Sequence, residues 1–338
     1  MRSMKCCKRA ARRVRLKRAA LVAIALAFLA LSALSQETTL RSQSNVVLIP
    51  TLVKDRQGGI VYGLQASDFV VEDDGIEQPA RLDEAPEGQP VSIVVAIQCG
   101  RRANYEFQRI HRLDTMLEPS IEAGHAEVAV IAFDSQVHHI GDFTDDAQQV
   151  SLDLQQVQPG DGGAAILDAV SDSVQLLASA PKDHQRVLLL ISETRDHGSH
   201  SKIADVVADV GKANAVMYAL AFSPSFSNIL DTGRGNHLDE MHPSPDLLGP
   251  LVMTAQAMRK NAPRTIAGLT GGEYELFATR TRFEARMNDF TNHLHSRYLL
   301  SIAPKDPHPG MHQIRVRLKQ SRDCTVLARD SYWAQANQ

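Results

Sequence analysis

The sequence predicts a doubly wound, mostly parallel α/β sheet flanked by short β segments from both chain ends. Two observations favour this fold class. From Val91 to Ser296, apolar runs of strand length alternate with segments of helical periodicity, the order expected of a parallel sheet covered on both faces. On either side of this region, short β-branched runs alternate with turn residues, which is typical of antiparallel strands.

The first 35 residues predict export. Residues 1–18 contain nine Lys or Arg and no acidic residue, and the apolar run Ala19–Leu34 follows them. This order is typical of a secretory signal peptide, and the run is shorter than the roughly 20 residues that span a membrane. We therefore expect a signal peptide over residues 1–35, with an uncleaved membrane anchor as the alternative, and a polar tether over residues 36–45.

The rest of the chain is acidic. Beyond residue 18 it carries 27 basic and 39 acidic residues, a net charge of −12. Nucleic-acid binding depends on clustered Lys and Arg, so this charge argues against a nucleic-acid partner. Beyond residue 35 the chain has two cysteines, Cys99 and Cys324, which either pair or stay separate thiols.

The segment 46–88 predicts a small antiparallel β unit. Its β-branched runs are short, and turn residues separate them. A Pro-bounded linker, Pro86–Pro90, ends the unit. The expected strands are Leu48–Lys54, Ile60–Tyr62 and Phe69–Glu72, with turns at Gln57-Gly58-Gly59 and Asp74-Gly75.

The segment 89–296 predicts the doubly wound domain. Its strands are continuous apolar runs, as in sheets buried on both faces, and its helices place apolar residues three or four positions apart. A polar loop, Ser223–Pro250, interrupts the pattern after a strand, at the sheet edge where such folds bind ligands. Strands are expected at Ser92–Ile97, Glu127–Phe133, Arg186–Ile191, Ala215–Phe222 and near Glu273–Phe277, and helices at about Tyr105–Glu122, Ala164–Ala178, Lys202–Ala213, Leu251–Ala267 and Arg282–Ser296.

The segment 297–334 returns to a β pattern, and a short tail over 335–338 follows. Strands are expected at Tyr298–Ile302, Gln313–Leu318 and Thr325–Ala328. The N-terminal β unit is too short to bury enough apolar surface alone. We therefore expect the two β segments to pack together as one sandwich-like module, with the doubly wound domain inserted between them.

Seven motifs, in order, resemble the von Willebrand factor A-related domain proteins of bacteria. The resemblance covers about Val46 to Ala334 and implies a von Willebrand A-like, Rossmann-type sheet with a protein-interaction role. The motifs are Ser92–Arg102 (SIVVAIQCGRR), Ile131–Ser135 (IAFDS), Gly160–Ala169 (GDGGAAILDA), Val187–Gly198 (VLLLISETRDHG), Thr270–Gly272 (TGG), Arg297–Ile302 (RYLLSI) and Tyr332–Ala334 (YWA).

The resemblance also implies that the metal-ion-dependent adhesion site of this family is degenerate here. In the family, the first strand ends in D-x-S-x-S, a loop supplies a Thr in G-G-T-A-L, and a later strand ends in D-G. These side chains hold a divalent cation, and a carboxylate of the partner completes its coordination. Mg²⁺ needs several hard oxygen ligands in near-ideal geometry, so we expect no metal and no cofactor. The corresponding residues are Gln98, Gly100 and Arg102, then Ala164, then Glu193–Thr194.

An arginine can replace the lost ion. An Arg fork beside Glu193 would still bind the carboxylate of a partner. Arg101 and Arg102 are both candidates for this role; alternatively, both are solvated at the start of a helix. The loop Ser223–Pro250 and ten residues of the sheet edge are candidates for partner binding. The ten residues are Gln98, Gly100, Arg101, Arg102, Asp161, Ala164, Glu193, Thr194, Asp196 and His197.

Two other interpretations stay open. One is a metal-dependent adhesion protein whose cation site is rebuilt from Glu193, Asp161 and Asp196. The other is a hydrolase that uses the His-rich loops, although their spacing does not match a metalloenzyme motif such as H-E-x-x-H. Asp134 and Asp168 are interpreted as turn and helix-surface hydrogen-bonding residues. The His-rich loops contain His138, His139, Asp196, His197 and His200, and also His237, Asp239, Glu240 and His242.

The sequence thus predicts an exported, non-enzymatic interaction or adhesion-type module. Its expected partner is an unidentified protein in the cell envelope or outside the cell. We expect no nucleic acid and no small-molecule cofactor among its partners, and membrane contact only through the N-terminal segment if that segment is uncleaved.

Overall fold

The structure, a computed structural model, describes residues 46–83, 89–101, 103, 106–110, 112–222, 249–304, 307–320 and 323–334. The predicted signal peptide, tether and tail, and Arg102, lie outside the described residues. So does most of the predicted loop, 223–248, with His237, Asp239, Glu240 and His242. No helix among the described residues has the length and apolarity needed to cross a membrane.

The N-terminal β unit contains four strands. They are β1 (Val47–Lys54), β2 (Phe69–Asp73), β3 (Ile76–Gln78) and β4 (Arg81–Asp83). The strand predicted at Ile60–Tyr62 is wrong. Asp55 accepts amide hydrogen bonds from Gln57 and Gly59 and closes a tight turn, so only Ile60 forms a bridge back to β1, at Lys54.

The central sheet has six strands, β5 (Val91–Gln98), β6 (Ala126–Phe133), β7 (Val137–Thr144), β8 (Gln185–Ser192), β9 (Ala215–Phe222) and β10 (Tyr274–Phe277). Their order is β10-β9-β8-β5-β6-β7, and all neighbouring pairs are parallel except β6 with β7. The predicted doubly wound fold class is therefore confirmed. The sequence missed β7 because this edge strand is exposed or half-buried along its whole length and lacks an apolar run.

Eight helices are described, and they differ from the prediction at three places, one of which is the unpredicted helix at Ala147–Gln155. They are α1 (Phe107–Ile110), α2 (Leu113–Glu122), α3 (Ala147–Gln155), α4 (Ile166–Ser179), α5 (Ile203–Lys212), α6 (Gly249–Lys260), α7 (Ala262–Thr270) and α8 (Arg280–His293). The helix expected at Tyr105–Glu122 is two helices. The helix expected at Leu251–Ala267 breaks at Asn261, which caps Arg264 N at 3.0 Å and precedes Pro263. Because α6 begins at Gly249, the predicted loop ends two residues before Pro250.

Both faces of the central sheet are covered. One core contains Ile93, Val95 and Ile97 of β5 with apolar side chains of α2 and α8. The other contains Val94 and Ala96 of the same strand with α4, α5 and α7. The alternation along β5 explains why its whole sequence is apolar: each face of a doubly covered sheet needs its own buried side chains.

The remaining strands belong to the C-terminal segment. They are β11 (Tyr298–Ile302), β12 (Gly310–Leu318), β13 (Thr325–Ala328) and β14 (Ser331–Ala334). They pair with the N-terminal strands in two four-stranded sheets, β13-β1-β11-β4 and β14-β12-β2-β3. Apolar side chains of both sheets share one core, which includes Ile49, Phe69, Leu300 and Ile314.

Arg329 connects this pair of sheets to the central domain. Its guanidinium is buried and donates hydrogen bonds to three carbonyl oxygens: Leu48 of β1 at 3.2 Å, Gly211 of α5 at 2.9 Å and Ser331 at 2.8 Å. A buried charge is tolerated when its donors are satisfied in this way. Arg329 is thus one of the side chains that hold the central domain against the flanking strands, together with the ion pair between Lys54 and Glu273.

Candidate functional site

The candidate site lies at the carboxyl ends of β5 and β8, which are neighbours in the parallel sheet. Gln98 is the last residue of β5, and Glu193 follows β8 directly. The Gln98 amide accepts from Glu193 N at 2.8 Å and donates to Glu193 Oε1 at 3.3 Å. Both residues are buried. This two-way contact, which the sequence did not predict, holds the Glu193 carboxylate at the sheet edge.

Arg101 forms an ion pair with the same carboxylate. The Arg101 Nε atom lies 2.8 Å from Glu193 Oε1, and the two side chains are 35% and 6% exposed. Arg101 has a positive φ of 55° and donates its backbone N–H to Asp161 O at 2.7 Å, which turns the chain back towards Glu193. Arg101 therefore forms the pair with Glu193 for which the sequence offered two candidate arginines.

The loop Gly160–Ala164 packs directly on the loop that carries Arg101. A Cβ atom added at Gly100 would clash with the carbonyl oxygen of Gly163 and lie 2.8 Å from the Asp134 Cβ. A Cβ added at Gly163 would clash with the backbone of Ser135. Backbone thus fills the space beside Gly100 that a serine side chain would need.

Two aspartates hold these loops together. Asp134 lies 3.0 Å from the amides of Gln136 and Asp161 and 3.1 Å from His138 Nε2. Burial raises the pKa of Asp134, but these hydrogen bonds outweigh it, so that the pKa lies below the ordinary value of 3.8. This arrangement agrees with the interpretation of Asp134 as a turn residue.

Asp161 accepts from the Ser135 hydroxyl, and from the amides of Ser135 at 3.0 Å and Gly163 at 2.7 Å. The hydrogen bond from the Ser135 hydroxyl is the largest cause of the lowered pKa of Asp161, and the Gly163 amide is the next. The Asp161 carboxylate is therefore ionised and acts as a loop acceptor.

Asp196 and its neighbours act on the beginning of α4. The N-cap residue of this helix, Ala165, has no side chain that can accept a hydrogen bond. Asp196 Oδ1 accepts from Leu167 N at 3.1 Å and from the Ser199 hydroxyl at 2.5 Å. Ala164 and His197 exchange two backbone hydrogen bonds of 2.8 Å. The segment after β8 thus supplies the cap that α4 lacks.

Asp168 anchors the same segment one turn further along α4. Its carboxylate accepts from the backbone amides of His200 at 2.9 Å and Ser201 at 2.7 Å. Burial raises the pKa of Asp168, but the hydrogen bonds from Ser201 and His200 outweigh burial, so that the pKa lies below the ordinary value of 3.8. This is the helix-surface role that the sequence indicated.

The structure therefore divides the ten predicted residues into groups. Gln98, Arg101 and Glu193 form one hydrogen-bonded cluster, and Gly100 and Asp161 contact it through the backbone. Ala164, Asp196 and His197 stabilise the start of α4, and Thr194 accepts a backbone hydrogen bond from Ala262 at 3.0 Å. Arg102 lies outside the described residues.

The three carboxylates of the alternative cation site do not converge. Glu193 contacts Arg101 and Gln98, Asp161 contacts the Ser135–Gly163 loops, and Asp196 caps α4. Within the described part of the chain, they do not form a group of three ligand atoms close enough to share one ion. In this structure the three carboxylates thus belong to three separate sets of contacts.

Among the described residues, several that a hydrolase could use are engaged in other contacts. Burial and the negative charges of Asp134 and Asp161 together raise the pKa of the Cys99 thiol to about 11, so the reactive thiolate is disfavoured. Cys99 and Cys324 are both free thiols, so they do not pair. His138 lies against Asp134, and His200 against Asp168.

A Ser–His–Glu group that the sequence did not reveal lies near the opposite edge of the sheet. The Ser92 hydroxyl donates to Glu127 Oε1 at 2.5 Å, and His184 Nδ1 lies 2.9 Å from Ser92 and 3.4 Å from Glu127. A catalytic triad uses both ring nitrogens of its histidine. Here one nitrogen faces both partners and Ser92 is buried, so the group is structural.

Comparison with known proteins agrees with this architecture. Residues 100–195 match the family model of the von Willebrand factor type A domain. No curated protein matches the chain. The matched residues include β6, β7 and β8 and the site residues from Gly100 to Glu193.

Solved structures similar to this chain include three from bacteria. The vWF domain of the type V pili tip protein Mfa5 from Porphyromonas gingivalis is 16% identical over 32% of this chain and 38% of that one, with a TM-score of 0.28. The conserved hypothetical protein BatB from Bacteroides thetaiotaomicron is 12% identical over 60% of this chain and 98% of that one, with a TM-score of 0.39. A mutant of the PilB minor pilin from Streptococcus sanguinis is 10% identical over 64% of each chain, with a TM-score of 0.44.

The chain thus spans less than two thirds of the Mfa5 and PilB structures. Residues 100–195 lie within the doubly covered central sheet and its connections. This part of the chain is similar to the von Willebrand factor type A domain.

Proposed function

We propose that this chain is an exported, non-enzymatic protein-interaction module that binds a protein partner at the Gln98–Glu193 sheet edge, without a metal ion there. The observation that carries the proposal is the ion pair between Arg101 and Glu193, with its 2.8 Å separation. It puts a positive group beside the carboxylate at the end of β8, the position at which the family resemblance implies a cation.

The exposure of the pair supports a role in binding. Glu193 is buried and orients Arg101, whereas about a third of the Arg101 side chain faces solvent. A guanidinium held by one carboxylate through Nε still has geometry suited to a second carboxylate, because its donors form a planar fork. An acidic side chain of the partner is therefore the chemistry that this edge fits.

The packing at Gly100 supports binding without a metal at this edge. The space that a serine ligand would use is closed by the Gly163 carbonyl. Of the carboxylates at the edge, Glu193 is neutralised by Arg101, and the oxygens of Asp161 accept three hydrogen bonds. We propose export because a basic segment followed by an apolar run, within residues 1–35, is typical of a signal peptide.

Partner binding tests the role of Arg101. The full chain, Arg101→Glu and Lys182→Glu are immobilised and exposed to an envelope-protein fraction of the source cells. Lys182 is exposed in the turn before β8, at the opposite edge, so its reversal changes the charge equally. We expect a partner that is retained by the full chain and by Lys182→Glu and is lost with Arg101→Glu. Equal capture by all three proteins would contradict the proposal.

A metal titration tests whether the sheet edge works without a metal ion. A specific ion at 100 times its Kd stabilises a folded protein by about 2.7 kcal/mol, which raises the Tm by several degrees. We expect millimolar Mg²⁺ to change neither the Tm nor partner capture. A rise in Tm that Glu193→Gln removes would show that the edge still binds a cation.

A further inference from the structure

A second cluster of potential ligands lies outside the central sheet, where the N-terminal β segment meets the C-terminal one. Asp74 is in the turn between β2 and β3, His312 is in β12, and His308 precedes that strand. One ligand atom from each lies within 4.8 Å of the other two. Among the described residues, this is the one group of three that meets that criterion.

The spacing of these atoms suits a small tetrahedral ion. His312 Nδ1 lies 2.9 Å from Asp74 Oδ2, and His308 Nε2 lies 3.2 Å from the same oxygen. Around a tetrahedral ion with bonds of 2.0–2.1 Å, neighbouring ligand atoms are about 3.3–3.4 Å apart. Two of the three separations therefore need to change by only a few tenths of an ångström.

The other polar atom of each ligand is already held by a backbone group. His312 Nε2 lies 2.7 Å from His308 O, and His308 Nδ1 lies 3.4 Å from Pro309 O. Asp74 Oδ1 accepts from Gln313 N at 2.9 Å. Metal-binding histidines commonly donate their second ring N–H to a carbonyl in this manner, which directs the free nitrogen at the ion.

One side of the cluster faces solvent, and the other side is buried and packed against neighbouring side chains. The side chains of Asp74 and His308 are 36% and 40% exposed, and that of His312 is 4% exposed. The His312 ring stacks between His308, at 3.9 Å, and Tyr332, at 4.7 Å. Asp73 Oδ1 lies 3.2 Å from His312 Nδ1, and Asp73 Oδ2 accepts from Tyr332. Asp73 thus holds the buried side of the cluster in place through His312 and Tyr332.

We propose that Asp74, His308 and His312 bind a divalent transition-metal ion of the zinc type, with water as the fourth ligand. Two imidazoles and a carboxylate suit Zn²⁺, whereas Mg²⁺ and Ca²⁺ prefer oxygen ligands. The ion connects the β2–β3 turn to β12 and so links the N-terminal β segment to the C-terminal one. This site is separate from the Arg101 edge, where the ligand set was lost.

The test measures Zn²⁺ binding to the full chain by calorimetry after treatment with a chelator and removal of that chelator. His308→Gln removes an exposed ligand and is expected to fold. His139→Gln is the matched control, since that exposed histidine lies 3.7 Å from Asp172 in another part of the protein. We expect about one equivalent of Zn²⁺ for the full chain and His139→Gln, and affinity at least about tenfold lower for His308→Gln.

Thermal unfolding provides a second readout. We expect Zn²⁺ to raise the Tm of the full chain and of His139→Gln, and to leave that of His308→Gln unchanged. Absence of a saturable Zn²⁺ site would overturn the proposal and leave the cluster as an ion pair between His312 and two aspartates. Unchanged affinity in both His308→Gln and Asp74→Asn would overturn it as well.

Discussion

Arg101 Nε lies 2.8 Å from Glu193 Oε1 at the edge of the central sheet, and Gln98 donates to the same oxygen at 3.3 Å. The Glu193 side chain is 6% exposed, so its charge needs both contacts to replace lost hydration. The pair therefore has two functions: it satisfies a buried carboxylate and it fixes an arginine at the surface. Each function has its own measurable consequence.

The pair should contribute to stability cooperatively. Arg101→Ala leaves the buried Glu193 without its cation, and we expect a loss of about 1–3 kcal/mol in the free energy of unfolding. In the double variant Arg101→Ala with Glu193→Gln, part of this loss should be recovered, because the uncompensated charge is gone. Urea unfolding of the four proteins measures the coupling. Strictly additive effects would show that the two side chains do not interact in solution.

Introducing a serine at position 100 should lower the stability of the protein and should not create a metal site. In Gly100→Ser the new Cβ would clash with the Gly163 carbonyl, and we expect a loss of about 1–3 kcal/mol. Gly162→Ser is the control, because a Cβ there meets nothing within 4 Å. Chemical unfolding with and without Mg²⁺ measures both effects. A stable Gly100→Ser protein with a Mg²⁺-dependent Tm would contradict this explanation of the lost site.

The Glu273 carboxylate should make stability depend on acid pH. It lies 2.7 Å from both Lys54 Nζ and His293 Nδ1, and 3.9 Å from Arg297 Nη2. Burial raises its pKa, but the hydrogen bonds and charges of His293 and Lys54 outweigh burial and lower the pKa from 4.5 to about 2. The nearby Glu275, whose own pKa is raised by burial, is the other carboxylate of this group.

Because the folded-state pKa of Glu273 is lowered, its contribution is present above about pH 4.5 and is lost as the pH falls towards 2. The contribution is of the order of 3 kcal/mol. We expect Glu273→Gln to be less stable at pH 7 and to lose less stability on acidification, whereas Glu118→Gln, an exposed change on α2, behaves as the parent chain does. Urea unfolding at several pH values is the measurement, and parallel profiles for Glu273→Gln and the parent would exclude this role.

Removal of the C-terminal strands should destabilise the N-terminal ones. β1 pairs on one side with β11, where Ile49 faces Leu300, and on the other with β13, where Leu52 faces Leu327. A chain that ends at Ser296 would leave both edges of β1 unpaired and its apolar side chains exposed. We expect lower stability and stronger binding of hydrophobic dyes than in a chain that ends at Ala334. A truncated chain as stable as that control would show that the two β segments do not depend on each other.

The central sheet was predictable because burial on both faces requires continuous apolar runs, and such runs are visible in a sequence. β7 was missed because a half-exposed edge strand has no such run. The break at Asn261 is encoded locally by the cap and Pro263, yet the apolar periodicity continues across it in α6 and α7. The sequence therefore predicted which segments are buried more accurately than it predicted where helices and strands begin and end.

At the site, the sequence identified which ligands were missing, because each one is a local substitution in a known motif. It did not show which arginine meets Glu193, since that depends on the positive φ of Arg101 and its contact with Asp161. Nor did the sequence show the contact between Gly100 and Gly163, because these glycines lie in different loops.

The sequence by itself determined the order of buried strands and the family resemblance, which implies that metal ligands are missing at one sheet edge. Only the tertiary structure decided that Arg101 pairs with Glu193 and that Asp74 meets His308 and His312. The reason is physical: ligand and ion-pair distances are set to within an ångström by strand register, here the antiparallel pairing of Asp73 with Ile314. Residues more than two hundred positions apart carry no local pattern that reveals such a register.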